Sequence, residues 1–217
     1  MKRGAIFDMD GLLFDTERVY REEWTAAGVE FVGHPAPELA EAVCGTSGDS
    51  LRKTILECYP NVDAQTYIDC VLVRVRNRVR EEPVRLMPGV REILSYLQDN
   101  GFRLAVASSS AREMILNNLE RAQINGCFSA VVSGEDVLRG KPDPEIFQMA
   151  ANWLDLKPED CYVFEDGING VLAGAAAGCS VVMIPDLTQP NEEARAKSTV
   201  ILPSLKAAVE WIKENGQ

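Results

Sequence analysis

Six short apolar runs, separated by helical patterns and polar breaks, constrain this chain more than any other feature. They cover residues 4–7, 103–107, 130–133, 161–164, 180–184 and 200–202. Between them apolar residues recur at helical spacing: Val90, Ile93, Leu94 and Leu97; Ile146, Phe147, Ala150, Ala151 and Leu154; Leu205, Ala208, Val209 and Ile212. Such a recurrence gives a helix one apolar face. Asp143-Pro144 fits an N-cap followed by a first-turn proline. Strands that alternate with helices predict an α/β fold, a doubly wound, Rossmann-like parallel sheet covered on both faces. A length of 217 residues with 46% hydrophobic content supports one such core plus a smaller insert.

The alternation fails once. From 15 to 83 the patterns are helical and no convincing strand is present. Ile68, Val71, Leu72, Val75 and Val79 form a long stripe, which outweighs the strand-like Val-Arg-Val-Arg at 73–76. The block is too long for one crossover helix. It predicts a small helical insert after the first strand, with 1–14 and 84–217 forming the α/β core. Two connections near 15 and 83–88 would let the insert move as a lid.

Charge and cysteine usage narrow the function classes. The net charge of -11 argues against nucleic acid and anionic membranes as partners, since both need a basic surface. A small phosphorylated metabolite remains compatible, because a metal and a few cations can offset acid locally. No apolar run approaches membrane-spanning length. The six cysteines (44, 58, 70, 127, 161 and 179) form no CxxC, and no signal-peptide pattern precedes Gly4. Reduced, mostly buried thiols in a cytoplasmic monomer are expected.

The chemistry gathers at strand ends. Ala5-Ile6-Phe7 runs into Asp8-Met9-Asp10-Gly11, and i, i+2 spacing on an extended backbone puts both carboxylates on one face. The second run ends in Ser108-Ser109-Ser110, the third is followed by Gly140-Lys141-Pro142, and the fourth ends in Glu165-Asp166-Gly167. Alone, each is ordinary: a capped turn, a loop, a surface lysine, a turn. Together they follow successive strands, and in an open parallel sheet such ends converge on one crevice. Two carboxylates about 5 Å apart repel by roughly 3 kcal/mol at an effective dielectric near 20. Four acids in one crevice therefore call for cations. Oxygen donors suit Mg²⁺, and Lys141 adds a second positive charge.

These residues resemble the four ordered motifs of the haloacid dehalogenase-like superfamily: Asp8-Met9-Asp10-Gly11, Ser108, Lys141-Pro142 and Glu165-Asp166-Gly167. The stretches 11–17 and 164–170 are similar to its β-phosphoglucomutase-like phosphatase branch, and the insert looks like that branch's helical cap. The resemblance covers nearly the whole chain. It implies a Mg²⁺-dependent phosphatase with Asp8 as nucleophile, forming an aspartyl-phosphate, and Asp10 as general acid, then base. It also implies that Ser108 and Lys141 hold the phosphoryl group. The metal would lie on Asp8, Asp166 and the Asp10 backbone carbonyl, with Glu165 binding it through water or orienting Asp166. The Gly/Ala-rich run 167–178 would let a helix pack close behind the acids.

Departures from the pattern bear on substrate. Tyr20 stands where β-phosphoglucomutases carry a cap histidine, and Gly48, in the segment 44–50, where they carry a phosphate-binding arginine. Losing both favours a phosphatase over a mutase. A phospho-accepting, receiver-like module is a third reading, although its acid would follow the third strand. The stretch from Gly134 to Lys141 is not a P-loop, because five residues separate its glycines and Pro142 replaces Ser/Thr. His34 is expected to be structural or solvated, and Tyr20 and Trp24 to pack the first insert helix. Arginines 74, 76, 78 and 80 are expected to be solvated, one of them in reach of a substrate's distal group.

Overall fold

All six apolar runs form strands in the computed structural model of the protein, which describes residues 2–44, 46 and 48–215. They are β1 (Gly4–Phe7), β2 (Arg103–Ser108), β3 (Ala130–Ser133), β4 (Cys161–Glu165), β5 (Ser180–Met183) and β6 (Val200–Ile201). They pair in parallel in the order β3-β2-β1-β4-β5-β6. The helices are α1 (Thr16–Val32), α2 (Pro37–Ala42), α3 (Gly48–Cys58), α4 (Ala64–Glu81), α5 (Val90–Asp99), α6 (Arg112–Arg121), α7 (Glu145–Trp153), α8 (Ile168–Ala177), α9 (Glu192–Lys197) and α10 (Leu205–Asn215). Two compact units result, Met1–Phe14 with Val84–Gln217, and Asp15–Pro83.

Side-chain alternation divides the core of the first unit into two layers. Phe7, Leu104, Val106, Tyr162 and Phe164 face α5, α6 and α10. Ile6, Ala105, Ala107, Cys161 and Val163 face α7 and α8. Successive strand residues point to opposite faces, so a sheet covered on both sides must be apolar throughout. Phe7 stacks on Phe164 with ring centroids 4.6 Å apart, and burial of each such side chain stabilises the fold by about 1.5–3 kcal/mol. The chain leaves β1 toward β2 and leaves β4 toward β5, in opposite directions. That reversal makes the carboxyl ends of β1 and β4 the switch point where ligands bind. The order also differs from the 2-1-3-4-5 order of receiver-type sheets.

Three local expectations need correction. β2 and β4 each extend one residue further than the apolar runs, taking in Ser108 and Glu165, while β5 and β6 stop one residue earlier. Pro144 takes the N-cap position of α7 itself, and Asp143 Oδ1 accepts from Glu145 N at 3.1 Å from one residue further back. None of the six cysteines is in a disulfide, but only Cys161 is fully buried; Cys58 is exposed and the others are half-buried.

The helical unit is built on α1 against α4. Ile68, Val71, Val75 and Val79 are buried, whereas Leu72 is 43% and Val73 52% exposed. The helical period therefore prevails over the strand-like alternation, and Leu72 falls outside the stripe. Asp63 caps α4 by accepting from Thr66 N at 3.1 Å. Tyr67 donates to the Trp24 carbonyl at 3.1 Å and stacks on Phe31 at 4.4 Å. Trp24 is buried as expected, and His34 is exposed, its Nδ1 2.9 Å from the Pro35 carbonyl. Two of the arginines are half-buried and ion-paired rather than simply solvated: Arg74 pairs with Glu23 at 3.0 Å, and Arg78 pairs with Glu23 at 3.2 Å and with Glu22. They tie α4 to α1. Gly45 and Ser47 of the segment 44–50 lie outside the described residues.

Candidate active site

The turn after β1 sets the first two acids. Asp8 N donates to the Phe164 carbonyl at 3.0 Å, which continues the β1–β4 pairing and holds Asp8, 7% exposed, at the switch point. Met9 is fully buried and anchors the turn, its carbonyl accepting from Leu13 N at 2.9 Å and Phe14 N at 3.0 Å. Gly11 has φ +77°, and a Cβ there would lie 2.4 Å from Asp166 Oδ2. Only glycine satisfies both the left-handed turn and that approach. Asp10 Oδ2 accepts from Ser108 Oγ at 3.1 Å and Ser110 Oγ at 2.7 Å. Its other oxygen, Oδ1, is buried without a hydrogen-bond partner.

Lys141 joins the remaining acids. Its Nζ donates to Asp8 Oδ1, to Glu165 Oε1 at 2.6 Å and to the Ala107 carbonyl at 3.1 Å, using all three protons. It also lies 4.9 Å from the centroid of the Phe147 ring. The loop that carries it is held by Glu145, which accepts from Leu138 N and Arg139 N at 3.1 Å each. Glu165 Oε2 accepts from Gly167 N at 3.1 Å, so both its oxygens are engaged. Gly170 keeps α8 clear of this carboxylate, since a Cβ there would overlap Glu165 Oε1 at 1.8 Å.

Burial pulls the Lys141 pKa down, but Asp8 and Glu165 more than offset it and hold it above the ordinary lysine value. Burial pushes Asp8 up to about 8, against the pull of Lys141 and with the repulsion of Glu165 and Asp10. The two rises conflict, because a neutral Asp8 would remove part of what sustains Lys141. The direction we rely on is that of Lys141, which touches two carboxylates. The rise of Asp8 then expresses an excess of negative charge.

That excess gives a test of metal fit. Asp8, Glu165 and Asp166 each offer an oxygen, all within 4.8 Å of one another, and one ammonium faces three acids. An all-oxygen, net negative donor set fits a hard divalent cation such as Mg²⁺. The Asp10 carboxylate is not in that group; it is turned to the serines.

All six residues singled out by sequence lie at strand ends of this one sheet: Asp8 and Asp10 after β1, Ser108 at the end of β2, Lys141 after β3, and Glu165 and Asp166 at the end of β4. Sequence reasoning missed Ser110, the closer of the two hydroxyls on Asp10. The i, i+2 rule applied to Asp8 and Asp10 could have found it from Ser108. It also missed the Ala107 carbonyl and Phe147, which no local pattern marks.

Known proteins resemble this chain in sequence and in fold. The family model described as haloacid dehalogenase-like hydrolase matches residues 5–184. A protein of Drosophila melanogaster named a probable pseudouridine-5′-phosphatase is 35% identical over 93% of this chain and 89% of its own length. A phosphorylated carbohydrates phosphatase of Thermotoga maritima is 34% identical over 80% of this chain and 81% of its own. The crystal structure of a HAD family hydrolase from Deinococcus radiodurans, with bound phosphate and sodium, superposes with a TM-score of 0.82 at 25% identity, covering 99% of this chain and 96% of that one. With the motifs at the switch point and more than half the chain matched, this protein belongs to the haloacid dehalogenase-like hydrolase family.

Proposed function

We propose that the chain is a Mg²⁺-dependent phosphatase that hydrolyses a small phosphomonoester, of the sugar phosphate or nucleoside monophosphate type, through an aspartyl-phosphate. Its family and its phosphatase-named relatives make it a phosphoric monoester hydrolase. The observation that carries the mechanism is the unequal treatment of two acids. Asp8 meets Lys141 and the acid cluster, while Asp10 is held by hydroxyls with one oxygen unpaired.

Lys141 engages one oxygen of Asp8, leaving the other for phosphorus. Attack by Asp8 forms the Asp8–phosphorus bond and breaks the bond to the ester oxygen. Asp10 gives its proton to that oxygen, which leaves as an alcohol; Oδ1 is the atom that carries the proton. Water then attacks phosphorus, Asp10 takes its proton, and the Asp8–phosphorus bond breaks to release phosphate. Ser108 orients Asp10; on substrate binding its hydroxyl and one Lys141 N–H would turn from their carboxylate partners to phosphoryl oxygens. Asp8, Asp166 and the Asp10 carbonyl would hold Mg²⁺, with Glu165, engaged at both oxygens, orienting the group from behind. Bound there, the ion would supply positive charge to offset the negative charge of the phosphoryl oxygens.

The helical unit serves as the cap that selects substrate, and six cysteines outside any disulfide support a cytoplasmic setting. No described helix is long and apolar enough to cross a membrane. Tyr20 and Gly48, in place of the mutase histidine and arginine, favour hydrolysis over a β-phosphoglucomutase-type reaction. The test is a panel of phosphorylated sugars and nucleotides compared by kcat/KM with Mg²⁺ present. Phosphate release from at least one is expected. Isomerised product without phosphate release, on supplying β-glucose 1-phosphate and a bisphosphorylated activator, would replace this reading with the mutase.

A further inference from the structure

We propose that a cleft at the amino edge of the sheet binds a small phosphate-bearing anion, separately from the catalytic acids. The cleft has a volume of about 540 Å³ and is lined by residues leading into β1 and β2, by the turn before β4 and by the end of α10. Small-molecule sites commonly enclose roughly 300–1,000 Å³. The proposed catalytic residues follow their strands and so lie at the opposite edge.

The cleft gathers positive charge on an acidic chain. Lys2, Arg3, Arg103 and Lys213 line it, with Asp155 as its one acidic lining residue, on a chain whose net charge is -11. Cations gathered in this way repel one another until an anion lies between them. Three of the four are already positioned. Arg103 Nη1 donates to the Leu154 carbonyl at 2.6 Å. Lys2 Nζ donates to the Glu159 carbonyl and sits 5.8 Å from the Tyr162 ring centroid. Lys213 pairs with Glu210 at 2.9 Å and sits 5.5 Å from the Tyr96 ring centroid. Carbonyls and rings order the heads of Lys2 and Arg103 without cancelling their charge. The one carboxylate near Arg103, Asp155 Oδ2 at 3.7 Å, is almost fully exposed and solvent-screened. Arg3 has no ion-pair partner among the described residues and is exposed. Side chains ordered beforehand lose less freedom when a ligand arrives, and guanidinium forks match phosphate oxygens.

The test is calorimetric titration of inorganic pyrophosphate into the full chain in the presence of EDTA, where the metal-free catalytic acids repel the probe. One saturable site is expected. The exposed pair of changes Arg3→Ser and Lys213→Ser should weaken it at least about tenfold while hydrolysis of an aryl phosphate with Mg²⁺ stays at the wild-type rate. Arg3→Glu alone, at a side chain with no ion-pair partner among the described residues, should shift binding in the same direction. Equal binding by wild type and both variants, or no saturable binding by wild type, overturns the site. So does binding that Asp8→Asn removes and the cleft variants spare.

Discussion

Asp8 and Asp10 are two residues apart, yet their carboxylates meet different neighbours, an ammonium and further acids for one and two hydroxyls for the other. Asp8→Asn should lower kcat for any phosphomonoester by on the order of 10³-fold or more, because no other group takes over the bond to phosphorus. Rapid-quench trapping of labelled protein checks this: label should appear on wild type and not on the variant. Asp10→Asn should cost about 10²–10⁴-fold on an alkyl phosphate. It should cost much less for release of a good leaving group such as nitrophenolate, which needs no proton. Equal losses on both substrates would remove Asp10 from the general-acid role. Both aspartates were legible from the strand end and the spacing. Their division of labour came only from the family resemblance, since the neighbours that separate them, Lys141 and Ser110, reach them from other loops.

Close packing of elements is where single atoms matter. α8 lies against the sheet through Gly174, where a Cβ would stand 2.9 Å from Val181 Cγ2 and 3.1 Å from Val163 Cγ1. Gly174→Ala should therefore destabilise the fold by about 1–3 kcal/mol, read as a lower urea midpoint, even though alanine is the better helix former. At the end of β3, Asp136 Oδ2 accepts from Ser133 N at 2.8 Å, Ser133 Oγ at 2.7 Å and Arg112 Nη2 at 2.6 Å. Burial raises its pKa, but Ser133 and Arg112 outweigh that and hold it below the ordinary value. Its contribution is complete above the unfolded aspartate pKa of about 3.9 and is lost as pH falls through the lower folded value. Unfolding free energies from urea melts of wild type and Asp136→Ala should differ by about 1–3 kcal/mol near pH 7, since the Ser133 amide loses its acceptor. They should converge at strongly acidic pH. The Gly/Ala run 167–178 announced a close-packed helix in the sequence; the Asp136 cluster carried no such signal, because an acid after a strand is common.

At the scale of the molecule, the excess of acids predicts that a divalent cation stabilises the folded state. Mg²⁺ at about 100 times its Kd should add about 2.7 kcal/mol and raise Tm, and Asp166→Asn should abolish the shift. Thermal scans with Mg²⁺ and with EDTA check this without reference to activity. The sequence by itself determined what local periodicity encodes: six strands, the helices between them, a helical block at 15–83, and acids, serine and lysine placed after strands. These depend on neighbours a few residues away, where backbone geometry and side-chain alternation act. Strand order, and with it the site, was decided only by the tertiary structure. Lys141 and Asp8 are 133 residues apart in the chain. They meet because β3, β2 and β1 are neighbours in one parallel sheet, so the loop after β3 reaches across the carboxyl end of β2 to Asp8. The same packing bound Arg74 and Arg78 to α1 and exposed Leu72, outcomes that depend on which helix lies opposite and that no stretch of sequence contains.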